Sequence, residues 1–329
     1  MARIVRFYET GGPEVLKIEE VEVPPPGPME ITIEVKAIGL NRAEAMFRAG
    51  HYTEEAVLPA RLGYEATGRV IALGKNVKDI SLGDEVSVIP SLSITRYGSY
   101  GEVATFPANL AVKKLPSLGW NEAAAMWMQY ITAYGGLIEL AGLVKGDAVI
   151  VTASSSSVGI AAIQIAKLVG ATSIATTRTH DKKQALPGVG ASHVVVTQEE
   201  DLGKHVKEIT AGAGARVAFD PIGGPGILKL IEAMSPGGIL VQYGALDMEP
   251  VTFPLFTILA KTLTVRGYRY KEIVRDSDRL ARAVRFITEG VAAGALRPII
   301  AKVFSFDQIV EAHRYMESNE QFGKIVVTV

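Results

Sequence analysis

The chain contains no cysteine, and its five histidines are scattered along the sequence. Without cysteine the protein forms no disulfide, thiol nucleophile, iron–sulfur cluster or cysteine zinc site. No two histidines show a metal-ligand spacing such as H-x-x-x-H; they stand at His51, His180, His193, His205 and His313. We therefore expect no resident metal.

Long apolar runs and net charge are also scarce. No apolar run reaches the roughly 18 residues that a membrane-spanning helix requires. The first residues, MARIVRFYET, lack the apolar core of a signal peptide. A formal net charge of −1 provides no general attraction to nucleic acid or to an anionic membrane. We expect a cytoplasmic protein whose partners are small molecules.

Glycine and aliphatic residues, by contrast, are plentiful. A length of 329 residues, a hydrophobic fraction of 48% and 33 glycines are typical of a two-domain α/β enzyme. Residues 1–122 are β-rich, are interrupted by turn residues such as Gly11-Gly12-Pro13, and show no parallel βα alternation. We assign 1–122 together with 270–329 to one domain and 123–269 to another.

Residues 123–269 alternate strands with helices, which predicts a doubly wound parallel sheet of the dinucleotide-binding type. A helix broken near Gly135-Gly136 precedes the alternation. The predicted strands span 148–151, 173–177, 194–196, 217–220, 239–243 and 263–265. The predicted helices between them span 158–169, about 181–186, 201–210 and 226–234.

The turn after the first of these strands is built from small residues. A dinucleotide fingerprint has three glycines here; Ala153 and Ser156 hold the earlier places, and only Gly159 survives. The N–H groups and the positive dipole end of the following helix suit a pyrophosphate. We predict that Ser156, Val158 and Gly159 bind it. The alternative is an ordinary βα turn.

The end of the second strand indicates which dinucleotide binds. NAD-binding units place Asp or Glu about 20 residues past the turn, where it accepts a hydrogen bond from the ribose. This chain has Thr177 and Arg178 there, followed by Lys182. Because cations attract a 2′-phosphate that a carboxylate would repel, we predict NADPH. The alternative is that Arg178 and Lys182 belong to the solvated start of the next helix.

The order of elements and several motifs together resemble the medium-chain dehydrogenase/reductase superfamily, in its zinc-free quinone oxidoreductase (zeta-crystallin-like) branch, over essentially the whole chain. The motifs are GYEATG at 63–68 with Gly74, ITAY at 131–134, ASSSSVG at 153–159, DPIGG at 220–224, Gly237-Gly238 and GKIV at 323–326. The resemblance implies a Rossmann domain beside a β-rich, GroES-like catalytic domain. It also implies a homodimer joined through the strand around Leu263–Gly267.

Two departures from the superfamily pattern are informative. Zinc-dependent relatives read Gly-His-Glu where this chain has Gly63-Tyr64-Glu65, and their first zinc cysteine falls near Asn41. Their four-cysteine lobe would fall near residues 88–100, which contain no cysteine. Alcohol dehydrogenation, in which zinc polarises the alcohol oxygen, is therefore not expected.

The resemblance implies hydride transfer from NADPH to a quinone or an α,β-unsaturated carbonyl in an interdomain cleft. Such acceptors delocalise the developing charge onto an oxygen that a hydrogen bond can stabilise. The implied catalytic residues are Asn41, Tyr52, Tyr64 and Thr132. The first three have plainer alternatives: Asn41 caps a helix, Tyr52 packs in the core or at the surface, and Tyr64 fills the space left by zinc. No general acid stands out, and water would serve.

The resemblance also extends the cofactor site. Tyr130 and Thr132 would lie where the central helix meets the nicotinamide, although Tyr130 is equally interpretable as a core residue. The remaining implied contacts are Tyr243, Gly244 and Ala245 near the nicotinamide ribose and Phe256, Gly323 and Lys324 at the mouth. Two other functions stay open: an enoyl-thioester reductase, and a non-catalytic NADPH-binding sensor or structural protein.

Overall fold

Two separate groups of strands organise the chain in the computed structural model, which describes all residues from 1 to 329. The first unit comprises residues 1–128 and 298–329, and the second unit comprises residues 129–297. Each unit has its own sheet and its own core. None of the helices combines the length and the apolar character that a bilayer crossing requires.

The first unit is β-rich, as predicted. Its main sheet has the order Ile300–Ser305, Lys324–Thr328, Glu30–Gly39, Glu65–Leu73, Glu85–Val88 and Ala111–Lys113, with Val103–Pro107 also paired to Glu30–Gly39. A smaller sheet has the order Lys17–Val21, Ala2–Phe7 and Ala60–Arg61. The α-helices are Arg42–Arg48, Trp120–Ala124 and Ile309–Ser318; single 3₁₀ turns span Pro13–Val15, Ala108–Leu110 and Phe306–Gln308.

The strand Glu30–Gly39 is the centre of this unit. It pairs antiparallel with Glu65–Leu73, with Val103–Pro107 and with the terminal strand Lys324–Thr328. Most of its residues are buried, as expected for a strand covered on both faces. The carboxyl-terminal segment therefore completes the same sheet that the amino-terminal segment begins.

The second unit confirms the predicted doubly wound sheet. Its six parallel strands have the order His193–Val196, Thr172–Thr177, Ala148–Val151, Ala215–Asp220, Met234–Gln242 and Thr264–Gly267. Numbered along the chain, this is the order 3-2-1-4-5-6 of dinucleotide-binding folds. The helices are Ser157–Val169, Leu202–Ile209, Ile227–Ala233, Leu255–Lys261, Lys271–Val274 and Ser277–Ala292.

The helix Trp127–Tyr134 leads into the second unit and continues as the π-helical turn Gly135–Leu140. The predicted break at Gly135-Gly136 is thus a change of helix type. A Cβ at Gly135 would overlap the Tyr268 hydroxyl, and one at Gly136 would overlap the Phe219 ring. Glycine is needed at both positions because the turn passes so close to these side chains.

Two sequence-based expectations differ from the structure. The segment 181–186 is not a helix; single 3₁₀ turns at His180–Lys182 and Pro187–Val189 flank an irregular stretch. The segment 270–297 lies in the second unit, whereas the sequence assigned it to the first domain. Its helix Ser277–Ala292 contacts the π-helical turn there, where Arg282 forms two hydrogen bonds of 2.9 Å with Glu139.

Candidate functional site

The carboxyl edge of the parallel sheet gathers most of the predicted cofactor residues. Val151 pairs in register with Ala175 on one side and with Phe219 on the other, and Asp220 pairs with Gln242. Because the strands are parallel, the segments that follow them lie along one edge of the sheet. The residues brought to this edge are Ser156, Val158, Gly159, Thr177, Arg178, Tyr243, Gly244 and Ala245.

The turn after the first strand ends in a capped helix. Ser156 is the N-cap of the helix Ser157–Val169, and its hydroxyl oxygen accepts a hydrogen bond of 3.0 Å from the Gly159 N–H. The N–H groups of Ser157 and Val158 belong to the first turn and have no intrahelical acceptor. A Cβ at Gly159 would lie 2.6 Å from the Ala153 carbonyl oxygen, so glycine is required. The result is a tight turn with N–H groups available to an anion.

Two further residues of the turn, Ser154 and Ala153, have different roles. Ser154 is buried; its hydroxyl donates to the Val151 carbonyl at 2.6 Å and accepts from the Thr176 N–H at 2.9 Å, which joins the first two strands. Ala153 has a φ of 46°, the left-handed conformation in which a glycine would be unstrained. For an L-residue this conformation costs about 1–2 kcal/mol.

The substitution Ala153→Gly relieves this strain and should raise the free energy of unfolding by about 0.5–1 kcal/mol after the greater chain entropy of glycine is subtracted. Urea unfolding measures the effect. The matched control is Ala281→Gly, at an exposed position inside the helix Ser277–Ala292, which should lose about 1 kcal/mol. Equal losses in both variants would show that Ala153 is not strained.

The end of the second strand carries an exposed cation. Arg178 follows Thr172–Thr177 directly, is exposed and takes part in no ion pair. Lys182 is half-buried in the next 3₁₀ turn, and the neighbouring Lys183 pairs with Glu200 at 2.8 Å. The guanidinium therefore stands at the sheet edge where NAD-binding units place a carboxylate.

Tyr243 lies against the end of the fourth strand. Its ring stacks on Phe219 with centroids 4.0 Å apart, and its hydroxyl is buried without a hydrogen-bond partner. Burial, followed by the nearby Asp220 carboxylate, raises the pKa of Tyr243 well above its usual value. A Cβ at Gly244 would lie 2.7 Å from the Pro221 carbonyl oxygen, so only glycine lets the chain pass. An orphaned hydroxyl at this edge is available to a ligand.

The other predicted residues of the second unit are more dispersed. Tyr130 is fully buried, and its hydroxyl donates to the Gln164 side chain at 2.7 Å, which supports the interpretation as a core residue. Thr132, on the same helix, is 7% exposed. Phe256 is 90% exposed on the helix Leu255–Lys261, and nothing in the structure connects it with the turn at 152–156.

In the first unit, Asn41 sits between a strand end and a helix start. It is the N-cap of Arg42–Arg48, and its N–H donates to the Glu44 carboxylate at 2.7 Å. Its side-chain oxygen accepts from the Lys324 ammonium at 2.6 Å. Its amide nitrogen contacts the Gly39 carbonyl, Glu44 and Glu65 at 3.1, 3.2 and 3.3 Å. The Asn41 side chain thus joins buried charges to one another.

Lys324 and Glu65 form an ion pair in which each residue is 1% exposed. The second carboxylate oxygen of Glu65 accepts from the Met128 N–H at 2.9 Å. A Cβ at Gly39 would lie 2.9 Å from Lys324 Cε and 3.0 Å from Glu65 Oε1. Gly323, with a φ of 103°, turns the chain into this strand. The resemblance implied Lys324 at the mouth of the cofactor path, but its ammonium is buried within the first unit.

Tyr64 and Tyr52 form a hydrogen-bonded pair. Tyr64 is fully buried, and its hydroxyl donates to the Tyr52 hydroxyl at 3.1 Å. Its backbone N–H donates to Glu44 at 2.9 Å. Tyr52 is half-buried. Burial of Tyr64 supports the space-filling alternative for its ring and leaves Tyr52 as the more accessible hydroxyl.

Sequence reasoning missed four residues that complete this cluster: Glu44, Arg48, Tyr100 and His313. All four are buried. Tyr100 donates to Glu44 at 2.6 Å and lies 3.1 Å from His313 Nε2, while His313 Nδ1 lies 2.8 Å from Arg48. The sequence contains a partial indication of this cluster, because residues 41, 44 and 48 lie on one face of the helix.

Burial moves the pKa of two of these groups in directions that affect stability. It raises the pKa of Glu44 to about 7, although the Tyr100 hydroxyl and the Asn41 N–H oppose the rise. It lowers the pKa of His313 to about 3, with Arg48 and Arg42 contributing. Glu44 therefore contributes stability at low pH that is lost as the pH rises toward 7. His313 contributes stability above pH 6.5 that is lost as the pH falls toward 3.

The substitution His313→Gln should remove the loss of folding stability that His313 causes at acid pH. Below pH 6.5 the unfolded wild type binds a proton that folded His313 refuses, so wild-type stability falls by up to about 1.4 kcal/mol per pH unit through this residue. Glu44 contributes a pH dependence of stability with the opposite sign, and this contribution is common to both proteins. The difference in unfolding free energy should therefore shift in favour of the variant between pH 7.5 and pH 5.

Urea unfolding at both pH values provides the measurement. His193→Gln, at an exposed strand position, is the control for the replacement of a histidine by glutamine. A pH-independent difference for His313→Gln would contradict a neutral, buried imidazole.

The positions where zinc-dependent relatives bind metal carry different side chains in this protein. Asn41 and Tyr64 are committed to the hydrogen bonds described above. No group of three or more His, Cys, Asp or Glu side chains is arranged to hold a metal ion. The local donor set does not match the nitrogen and sulfur ligands that zinc prefers.

Comparison with known proteins agrees with the two-unit architecture. The family described as "Alcohol dehydrogenase GroES-like domain" matches residues 27–117, and "Zinc-binding dehydrogenase" matches residues 157–289. The structure resembles that of an NAD-dependent alcohol dehydrogenase, with a TM-score of 0.91 and 32% identity over 99% of both chains.

Two quinone oxidoreductases are also close relatives. The structure of the Escherichia coli enzyme complexed with NADPH has a TM-score of 0.91 and 28% identity, and the match covers 100% of both chains. The human quinone oxidoreductase is 29% identical over 330 residues, which cover 99% of this chain and 98% of the relative. Similarity therefore extends over both units.

Proposed function

Because the chain belongs to the medium-chain dehydrogenase/reductase superfamily, in its quinone oxidoreductase branch, we propose that it reduces a quinone or an α,β-unsaturated carbonyl with NADPH and without zinc. The observation that carries the proposal is the altered donor set at the zinc positions. Asn41 and Tyr64 replace two ligands there and are bound into a network with Glu44, Glu65 and Lys324. Reduction of a conjugated carbonyl is the chemistry that such a site supports without a Lewis acid.

The second unit fits a nicotinamide dinucleotide by its own contacts. The first-turn N–H groups of Ser157 and Val158, with the Ser156 hydroxyl, would bind the pyrophosphate, and Gly159 keeps the turn tight enough for close approach. Arg178 would bind a 2′-phosphate, with Lys182 adding positive charge. When bound, NADPH supplies the hydride. The unpaired Tyr243 hydroxyl, with Gly244 and Ala245, would contact the ribose side of the nicotinamide.

The first unit would stabilise the oxygen of the substrate. Tyr52 is half-buried and its oxygen accepts a hydrogen bond from the Tyr64 hydroxyl, and we assign Tyr52 as the residue that contacts the substrate oxygen. Asn41 has both amide protons engaged and one oxygen lone pair left, so it would accept a hydrogen bond from the substrate or the nicotinamide and would not donate to the substrate oxygen. Thr132 is assigned to the nicotinamide side. The final proton would come from water.

The proposed assembly is a homodimer. All four residues of the edge strand Thr264–Gly267 are exposed, which leaves its backbone groups open to pairing with a second copy. The adjacent helix carries three exposed apolar side chains, Leu255, Phe256 and Leu259. Exposed apolar surface beside an open sheet edge is typical of an interface. Phe256 is then reassigned from the cofactor to this surface.

The proposal is tested by NADPH oxidation at 340 nm with 1,4-benzoquinone, a medium-chain 2-enal and an enoyl thioester as acceptors. We expect turnover with the quinone or the enal, and NADPH preferred to NADH. Exclusive use of the thioester would indicate an enoyl-thioester reductase. Tight NADPH binding without turnover on any acceptor would indicate a non-catalytic binding protein.

The substitution Arg178→Gln should lower kcat/KM for NADPH by roughly 10- to 100-fold, because a hydrogen bond to a charged group contributes about 1.5–3 kcal/mol. The value for NADH should stay unchanged, since NADH lacks the 2′-phosphate. Arg285→Gln, at an exposed position of the same unit, is the control and should leave both values unchanged. Equal losses with the two cofactors would refute the assignment of Arg178.

A further inference from the structure

The Glu44 carboxylate is the centre of a hydrogen-bond chain to which the proposed function assigns no role. One oxygen accepts from the Asn41 amide at 3.2 Å and from the Tyr64 N–H at 2.9 Å. The other accepts from the Asn41 N–H at 2.7 Å and from the Tyr100 hydroxyl at 2.6 Å. Glu44 therefore holds both the side chain and the backbone of Asn41, together with the backbone of Tyr64.

The direction of every bond in this chain follows from Arg48. Arginine has no acceptor, so it must donate to His313 Nδ1. The neutral ring then carries its proton on Nε2, which donates to the Tyr100 oxygen 3.1 Å away. The Tyr100 proton is directed in turn to Glu44. Arg48 is itself fixed by the Gly11 carbonyl at 3.0 Å and by Glu317 at 2.6 Å.

This chain cannot conduct protons to the site. A relay needs groups that both lose and gain a proton, and the guanidinium at its outer end stays charged. What the chain does is impose one arrangement. Each donor has one acceptor, and reversing any bond would place two donors against each other.

We propose that Tyr100, His313 and Glu44 are positioning residues. They hold Asn41 and Tyr64 in the arrangement that the reaction needs, and they do so only while Glu44 is ionised. This inference rests on the proposed reductase function for its kinetic consequence. A protonated Glu44 would need an acceptor, yet its partners Asn41 and Tyr64 offer only N–H groups. Tyr100 could accept from it only by turning its own proton away from Glu44, and the only other partner of the Tyr100 hydroxyl, His313 Nε2–H, is a donor.

The charged and titratable groups around Glu44 explain why this switch falls in an accessible pH range. Lys324 favours the ionised carboxylate, whereas burial disfavours it and raises the pKa of Glu44 to about 7. Glu65 lies across Asn41 and is paired with Lys324. On the other side stand Tyr100, His313 and Arg48; burial and Glu44 raise the pKa of Tyr100, so it stays a donor.

The kinetic experiment is the pH profile of kcat from pH 5.5 to 9. Wild type should lose activity on the acid side with a midpoint near the pKa of Glu44, about 7. Tyr100→Phe removes a donor to the carboxylate, so the midpoint should rise by about one pH unit. Glu44→Gln should show low activity without this acid limb.

The matched control is Tyr97→Phe, which removes a hydrogen bond of the same kind, from Tyr97 to Glu30 at 2.9 Å, within the same unit. Its profile should superimpose on that of wild type. A variant that merely loosens the fold would lower activity equally at all pH values. The proposal is overturned if the midpoint of the acid limb in Tyr100→Phe equals that of wild type, or if Glu44→Gln still loses activity on the acid side.

A second measurement needs no activity and no variant. In wild type labelled with ¹⁵N-histidine, His313 should show the Nε2–H tautomer, unchanged from pH 8 to pH 5. In protein labelled with ¹³C-glutamate, one carboxyl should titrate near pH 7. If no acceptor were turned over, the proposed function would be wrong, but these NMR signals would still test the hydrogen-bond arrangement around Glu44. An Nδ1–H tautomer, a charged His313 or only ordinary glutamate titrations would refute it.

Discussion

The ion pair between Glu65 and Lys324 is the interaction on which the first unit depends. Both side chains are almost completely buried, and an isolated charge at either position would carry a large desolvation cost. The pair joins the terminal strand to a strand 259 positions earlier in the chain. Gly39 leaves room for it, because a Cβ there would crowd both partners. Loss of either charge would leave the other buried without a partner.

From this pair the polar contacts extend to Asn41 and Tyr64. Asn41 links it to Glu44, and Glu44 reaches Tyr64 and Tyr100. The second unit is constrained differently, by a tight turn and parallel strands that open their carboxyl edges to a ligand. In the proposed reaction, oriented backbone donors of the second unit would hold the cofactor, and the buried charges of the first unit would orient the side chains that contact the substrate.

Local periodicity was enough to predict the doubly wound sheet, because its strands are short β-branched runs and its helices repeat every three or four residues. The same reasoning failed at 181–186, where Pro187 and two glycines prevent a regular helix. It also assigned Ser277–Ala292 to the wrong unit, since an amphipathic pattern identifies a buried face and not what covers it.

Prediction of the candidate site from the sequence has a similar limit. Asn41 and Tyr64 were predicted by comparison with zinc ligands, and the turn at 153–159 by its small residues. The contacts of Glu44 with Tyr100, and of Tyr100 with His313, join positions 56 and 213 residues apart. Such contacts depend on how strands and helices pack, and no local pattern in the sequence encodes them. The burial of Lys324 within the first unit depends on the same long-range packing.

Isotope transfer in protein stripped of metal by a chelator tests the central claim most directly. The reaction would use NADPH that carries deuterium at both C4 positions and a medium-chain 2-enal, and mass spectrometry and NMR would locate the label. Zinc-free hydride transfer predicts one deuterium on the β-carbon of the product and a rate unaffected by the chelator. A product without deuterium, or activity that returns only when zinc is added, would contradict the account.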